Sequence, residues 1–369
     1  MQGPGEQIIE RLRRLEWTQA DLARIVDRTP TCISEIIRGK RSITTEMATL
    51  LSVALGDNAS FWLEQDAKFR AQIEPELDLD RVRERMRVFQ VAPVRDMQRR
   101  GWITDDNDLE RIAHDLCKFF HVSSLQESIG FPVSTRRAGS APELNNLQRA
   151  WCFRARNIAE TLPAAGYASD SVDALISELR GLAWHTKEAR KVSEVLASFG
   201  VRFVIVEHIQ GSQIDGAAFW LDVNSPVVVM SLRYDRMDYF WHTLMHECAH
   251  VKHLDAFSVD SNLVGDGQTP PGLQDEAEQR ADRTAATSLV DDEELDSFIR
   301  RVGPLYSKPK LIGFAKRIGI HPAIVVGQLQ HRGEIGWNAH RSMLEKVRNI
   351  VTDTAVVDGW GRTLPPSVI

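Results

Sequence analysis

The chain has 369 residues, more than one ordinary core serves, which implies two or three domains. Hydrophobic residues make up 43% and charged residues 26%, the balance of a folded chain and not of a disordered one. With 45 Lys and Arg against 51 Asp and Glu, the formal charge of −6 excludes a uniformly basic nucleic-acid coat but leaves room for a local basic patch.

Cys32, Cys117, Cys152 and Cys248 lie far apart with no Cys-x-x-Cys, which argues against a disulfide scaffold or a cysteine-type zinc ribbon and fits a reducing cytosol. No apolar run reaches the roughly 18 residues of a membrane helix. The start, MQGPGEQIIERLRRLEW, lacks the apolar stretch of a signal peptide. The expected location is cytoplasmic, with no membrane partner.

Residues 6 to 70 read as five short helices. The first carries Ile8, Ile9, Leu12 and Leu15 at helical spacing. Thr18 caps a second helix in which Ala20, Leu22, Ala23 and Ile25 can pack inward. After the turn Asp27-Arg28-Thr29, Thr29 and Pro30 open a third helix with Ile33, Ile36 and Ile37 inward, and Gly39 stops it. A fourth runs TTEMATLLSVAL, and a fifth begins near Ser60. Two short helices joined by a tight turn make a helix-turn-helix, or else part of a plain helical bundle. Charge favours the former. Residues 8 to 41 hold eight basic and five acidic side chains, a local +3, and Arg38-Gly39-Lys40-Arg41 lies just past the third helix, where phosphates would pass.

The residues TQADLARIVDRTPTCISEIIRGKR resemble the XRE (phage-repressor-like) helix-turn-helix, and RSITTEMATLLSVALGDNASFWLEQDAKF resembles the HigA-type antitoxin subgroup. The resemblance implies that Gln19 contacts phosphate, that Thr31, Ser34 and Glu35 face base edges, and that Arg38 lies at the end of the helix. It further implies a homodimer on palindromic double-stranded operator DNA, and a nucleoid-associated state when bound. Asp27 departs from the family's Gly and predicts a slightly strained turn. Cys32 is read as packing.

Glu74-Pro75-Glu76 reads as a linker. The stretch 80–195 reads as helical and charge-rich, a connecting bundle or a second nucleic-acid surface. Beyond it come strand-like runs at Val201–Val206, Ala217–Leu221 and Val227–Leu232. Val227 to Arg233 is a candidate edge strand for aligning an extended peptide, or an ordinary strand of the sheet.

The strongest chemical signal is His246-Glu247-Cys248-Ala249-His250, on an expected helix from Asp238 to Leu254. Positions i and i+4 share a helix face, so both imidazoles can hold one Zn²⁺, and Glu247 is placed to take a proton from water there. A second helix carries Glu276, Glu278 and Asp282. Glu278 is the preferred third ligand over Glu276, because Asp282 follows it by four residues and can orient a ligand histidine. His242 and His253 are read as supporting histidines and Cys248 as core. Tyr234, Tyr239, His253 and Tyr306 are the candidate oxyanion helpers.

VRFVIVEHIQGSQIDGAAFWL, PVVVMSLRYDRMDYFWHTLMHECAHVKH, the Glu-x-x-Ala-Asp-x-x-Ala-Ala stretch and IGFAKRIGIHPAIVVGQLQHRGEIGW together resemble the ImmA/IrrE family of zinc metallopeptidases over about 200 to 340. The resemblance implies zinc on His246, His250 and Glu278, with Glu247 as base. The usual Leu-Gly between the histidines is Cys-Ala, the usual Asn is Asp282, and a usual aromatic is Thr284.

The fold expected is mostly α with a smaller β component (α+β). Its parts are a helix-turn-helix domain at 1–74, a helical connecting region at 80–195, a zincin-like core at 196–300, and a helical tail with C-terminal extension at 301–369. Gly336 to Ile350 reads as helix and the residues after it as irregular. The function expected is a DNA-binding regulator with a zinc endopeptidase that cuts a protein regulator or itself. Two other readings are a HigA-like repressor whose zinc domain binds a partner without cutting, and a regulator whose zinc is structural. Intact Glu247 argues against the last, because a structural site needs no general base.

Overall fold

The computed structural model describes residues 3–73, 79–132, 144–255, 257–261 and 276–360. The chain divides into two units, Met1–Arg83 and Glu84–Ile369. The linker expected at Glu74-Pro75-Glu76 lies outside the described residues.

The first unit holds α1 (Pro4–Arg14), α2 (Gln19–Ile25), α3 (Pro30–Ile37), α4 (Thr45–Leu55) and α5 (Ala59–Ile73). Side-chain caps set the starts of α2, α3 and α4. Thr18 and Asp21 form a reciprocal capping box on α2, Thr29 accepts from the Cys32 N–H on α3, and Thr44 accepts from the Met47 N–H on α4. Ile8, Leu12, Leu22, Ala23, Ile33, Ile36, Leu51 and Trp62 make the core. Ala20, Ile25 and Leu15 face solvent instead, and Ile37 is half-buried. The seven residues of α2 present only two turns to its neighbours, and Leu22, Ala23 and Val26 fill that face. Asp27 has φ +51°, the left-handed conformation that the turn requires, and the Arg28 N–H closes the turn on the Ala23 carbonyl at 2.8 Å.

The helix α6 (Leu79–Val91) runs across the division between the units. The second unit continues with α7 (Val94–Arg99), α8 (Leu109–Phe120), α9 (Asn146–Ala159), α10 (Val172–Leu182) and α11 (Val192–Ser198). Then come β1 (Arg202–Ile205), β2 (Ile214–Trp220), β3 (Pro226–Met230), α12 (Met237–His253), β4 (Phe257–Ser261) and α13 (Glu276–Leu289). The last elements are α14 (Asp292–Val302), α15 (Lys308–Ile318), α16 (Pro322–His331), α17 (Arg348–Val351) and β5 (Val356–Val357). The fold is α+β.

The five strands form one mixed sheet in the order β4-β2-β3-β1-β5, with β1 parallel to β3 and β5, and β2 antiparallel to β3 and β4. Successive side chains alternate between its two faces. Val204, Ala217, Phe219, Val227 and Val229 pack under α8 and α9, while Phe203, Ile205, Ala218, Trp220, Val228 and Met230 pack against α10, α11, α12 and the C-terminal helices. Both faces are therefore covered, which is why the strands read as unbroken apolar runs. Helices from the stretch 80–195 belong to both layers.

Two expectations are corrected. Val227–Arg233 is not an edge: β3 is hydrogen-bonded to β2 on one side and β1 on the other, and the edges are β4 and β5. Its run of residues buried on both faces is what a central strand needs. Gly336–Ile350 is not one helix. A 3₁₀ turn at Arg341–Met343 and the short α17 replace it, because tertiary bonds claim its backbone. The Met237 N–H donates to the Glu345 carbonyl at 2.9 Å, and Asp235 accepts from the N–H groups of Val347 (3.0 Å) and Arg348 (2.7 Å). The residues that follow, read as irregular, supply β5 alongside β1.

Candidate metal centre and nucleic-acid interface

The helix α12 is buried for most of its length, against the sheet on one side and α10, α13 and α16 on the others. His246, Glu247 and His250 are 0%, 0% and 1% exposed. Burying three such groups on one helix needs compensation. It comes from α13. The Nδ1 of His246 lies 2.9 Å from Asp282 Oδ1, and the Nδ1 of His250 lies 2.9 Å from Asp255 Oδ2. A carboxylate only accepts, so each Nδ1 carries the proton and each Nε2 presents a lone pair.

Those two Nε2 atoms face each other at 3.0 Å, and the Glu278 oxygens lie 3.3 Å from His246 Nε2 and 3.6 Å from His250 Nε2. Lone pairs at that separation repel unless a cation lies between them. A tetrahedral zinc with bonds of about 2.0–2.1 Å sets its ligand atoms about 3.3 Å apart. The donor set and spacing of His246, His250 and Glu278 therefore fit zinc. Glu276 lies exposed at the start of α13, away from this group.

The carboxylates behind the histidines are themselves held. Burial works against the charged form of Asp282, but hydrogen bonds from His242 and His246 outweigh it, and its carboxyl stays well below the usual carboxylate range. Burial likewise opposes charge on Asp255, and the His250 bond and Arg280 outweigh it. Arg280 reaches Asp255 at 2.9 Å. His242 lies 3.7 Å from Asp282 and so supports the carboxylate that orients His246. Cys248 is fully buried in the core.

Glu247 lies under β2. A Cβ built on Gly216 would stand 2.2 Å from Glu247 Oε1 and 3.0 Å from the Thr243 methyl carbon, so only glycine leaves room for this carboxylate. Asp255, Arg280 and Gly216 were missed in the sequence reading. The only signals were an acid five residues after His250 and a glycine inside an apolar strand.

Of the four candidate oxyanion helpers, Tyr234 and Tyr239 lie with ring centroids 4.6 Å apart and planes inclined by 36°, and they line a narrow cleft with Asp215 and Thr243, next to Gly216. Burial pushes Tyr239 up to about 12, so it stays protonated at neutral pH and can donate. Tyr306 is spent elsewhere: its hydroxyl donates to Glu334 at 2.5 Å within the C-terminal core. Burial, aided by the Arg280 charge, pushes His253 down.

In the first unit, Gln19 is the first residue of α2, and Thr31, Ser34 and Glu35 lie on α3. Gln19, Thr31, Arg38, Lys40 and Arg41 are exposed, while Ser34 and Glu35 are half-buried. Arg41 Nε pairs with Glu35 Oε2 at 2.7 Å, so two residues expected to meet DNA engage each other. Cys32 is half-buried and packs against the core, as its packing role requires.

A short capped helix, a left-handed turn and a second helix with an exposed polar face define a helix-turn-helix protein. Residues 8–57 match the family described as Helix-turn-helix. The chain is also similar to the uncharacterized HTH-type transcriptional regulator YddM of Escherichia coli (strain K12), at 36% identity over 81 residues that cover 22% of this chain and 86% of that protein. Through its first unit, the chain belongs to the helix-turn-helix family of transcriptional regulators.

Proposed function

We propose that the chain is a DNA-binding transcriptional regulator whose second unit is a zinc-dependent endopeptidase acting on a protein regulator or on the chain itself. The carrying observation is the pair of Nε2 atoms 3.0 Å apart, each ring held by a carboxylate behind it, with Glu278 facing both. His246, His250 and Glu278 would hold the metal. Zinc, when bound, supplies Lewis acidity that polarises a peptide carbonyl and makes water a nucleophile near neutral pH. Glu247 takes the proton from that water and returns it to the leaving amine. Gly216 leaves the space that the Glu247 carboxylate occupies. Tyr239 and Tyr234, in the cleft beside Gly216, would be the helpers that donate to the carbonyl oxygen as charge develops on it.

A second reading is a HigA-like antitoxin or repressor that binds operator DNA and a protein partner without cutting. YddM, named as an HTH-type transcriptional regulator, favours it, because the match spans 86% of that regulator and 22% of this chain. One experiment separates the two. The purified chain and its Glu247→Gln variant are loaded with zinc and incubated, with and without DNA, with regulators encoded beside it. Cleavage by the native chain alone supports the peptidase. Stoichiometric zinc and operator binding with no cleavage of any partner or of itself supports the repressor.

A further inference from the structure

The helix α6 is 13 residues long, and from Leu79 to Gln90 only Val88 is buried. A helix of about 12–15 residues is marginal in water on its own, and this one draws little support from the fold around it. Its exposed apolar side chains fall on one line. Leu79, Val82, Met86 and Phe89 are 54%, 59%, 52% and 52% exposed. Their spacing of three, four and three residues is that of the a and d positions in two consecutive heptads. Val88, which packs into the core beside the sheet, lies off this line.

A line of this period is a seam for another helix, because side chains at a and d interlock as knobs in holes with a partner of the same period. The flanking side chains say which helix. Arg83 and Gln90 stand at e, and Arg85 stands at g. Two parallel copies of α6 set g of one copy against the following e of the other, so Arg85 faces Gln90, whose amide oxygen can accept its bond. Arg83 has an acid on its own helix, Asp80 at 2.8 Å. An antiparallel pair would set Arg85 against Arg85 and Arg83 against Arg83, and like charges so placed repel.

We propose that α6 pairs in parallel with α6 of a second copy of this chain, through Leu79, Val82, Met86 and Phe89. Two heptads bury less than the roughly 800 Å² per partner of a stable interface, so the pairing is reversible, with a Kd on the order of 10–100 μM. The pair carries two helix-turn-helix units, as the two half-sites of one palindromic operator require. The proposal stands apart from the peptidase reading, because it uses no residue of α12 or α13.

The test is sedimentation equilibrium of the full chain without DNA, and the expected result is a monomer–dimer equilibrium. Val82→Glu combined with Met86→Glu puts like charges along the seam. Both positions are more than half exposed, so the variant should fold as the native chain does and dimerise about tenfold more weakly or worse. Glu84→Arg changes the charge on the far side of the helix and should leave the equilibrium as it is. Val82→Cys tests the direction of the pair. Equal positions of a parallel pair lie opposite one another, so mild oxidation should join two copies through this cysteine beyond any cross-link of the native chain. The proposal falls if the chain is monomeric at about ten times the expected Kd, or if the double variant dimerises as the native chain does. It falls equally if Glu84→Arg weakens the dimer as much as the double variant, or if Val82→Cys joins to Met86→Cys in preference to itself, which is the antiparallel arrangement.

Discussion

Gly216 shows how far a single hydrogen atom can matter. Its Cβ, were there one, would stand 2.9 Å from Glu247 Cδ as well as 2.2 Å from Oε1, and Glu247 is fully buried with no room to retreat. Gly216→Ala should therefore move Glu247, the proposed base, while leaving the histidines in place. A displacement of about 1 Å at a catalytic group lowers the rate by about a hundredfold. The expected outcome is zinc content equal to the native chain with cleavage reduced to that extent. Retained cleavage would show that Glu247 is not held where the rate requires it. Asp255 is a different case, because on the proposed reading it acts through the metal. Asp255→Asn keeps the shape but offers a neutral acceptor to His250 Nδ1, and an outer partner of this kind is worth about ten- to a hundredfold in metal affinity. Competition with a chelator of known affinity measures that loss, and an unchanged zinc affinity would mean that Asp255 only packs.

At the scale of elements, the caps and the sheet carry the argument. Thr18 and Thr29 each satisfy a backbone N–H at the start of the two helices that present the DNA face. Thr18→Ala and Thr29→Ala should each cost about 1 kcal/mol of stability in the first unit, seen as a lower denaturant midpoint with an unchanged slope. A shift within error would show that the turn is held by its core alone. These helix starts were legible in the sequence because capping is local: a Thr, a Pro or an Asp announces itself within four residues. The His246/His250 pair was legible for the same reason, since i and i+4 share a face. Register within the sheet was not local. The run from Val227 to Met230 says that a strand is buried on both faces, but only the pairing with β1 and β2 makes it central. The C-terminal segment failed as a helix for a related reason. Asp235 and Met237, more than a hundred residues away in sequence, bind its backbone, and no periodicity within the segment announces them.

At the scale of the whole molecule, the charge of −6 averages two chemistries. Residues 8–41 carry eight bases and five acids, while residues 254–296 carry twelve acids and two arginines, a net −10. That acidity sits in the same stretch of chain as Glu278, Asp282 and Asp255. It therefore belongs to the zinc reading and does not count against DNA binding. The two proposed activities draw on separate cores, the first unit on Ile8, Leu22, Ile33 and Trp62, the second on the sheet and its covering helices. They should therefore respond to different perturbations. Arg38→Ala combined with Lys40→Ala should weaken binding to every DNA sequence alike and flatten the salt dependence by about one unit of slope per lost phosphate contact, with zinc content unaffected. Removing zinc with a chelator should do the reverse, abolishing cleavage while operator affinity measured at fixed salt stays the same. Arg41 tempers the first expectation, because it is paired with Glu35 and must give up that bond before it can meet a phosphate. Arg41→Ala alone should accordingly change the affinity less than the double variant. If Arg41→Ala proves the more damaging, the phosphate path runs past Arg41 and Glu35, and the Arg38–Lys40 assignment is wrong.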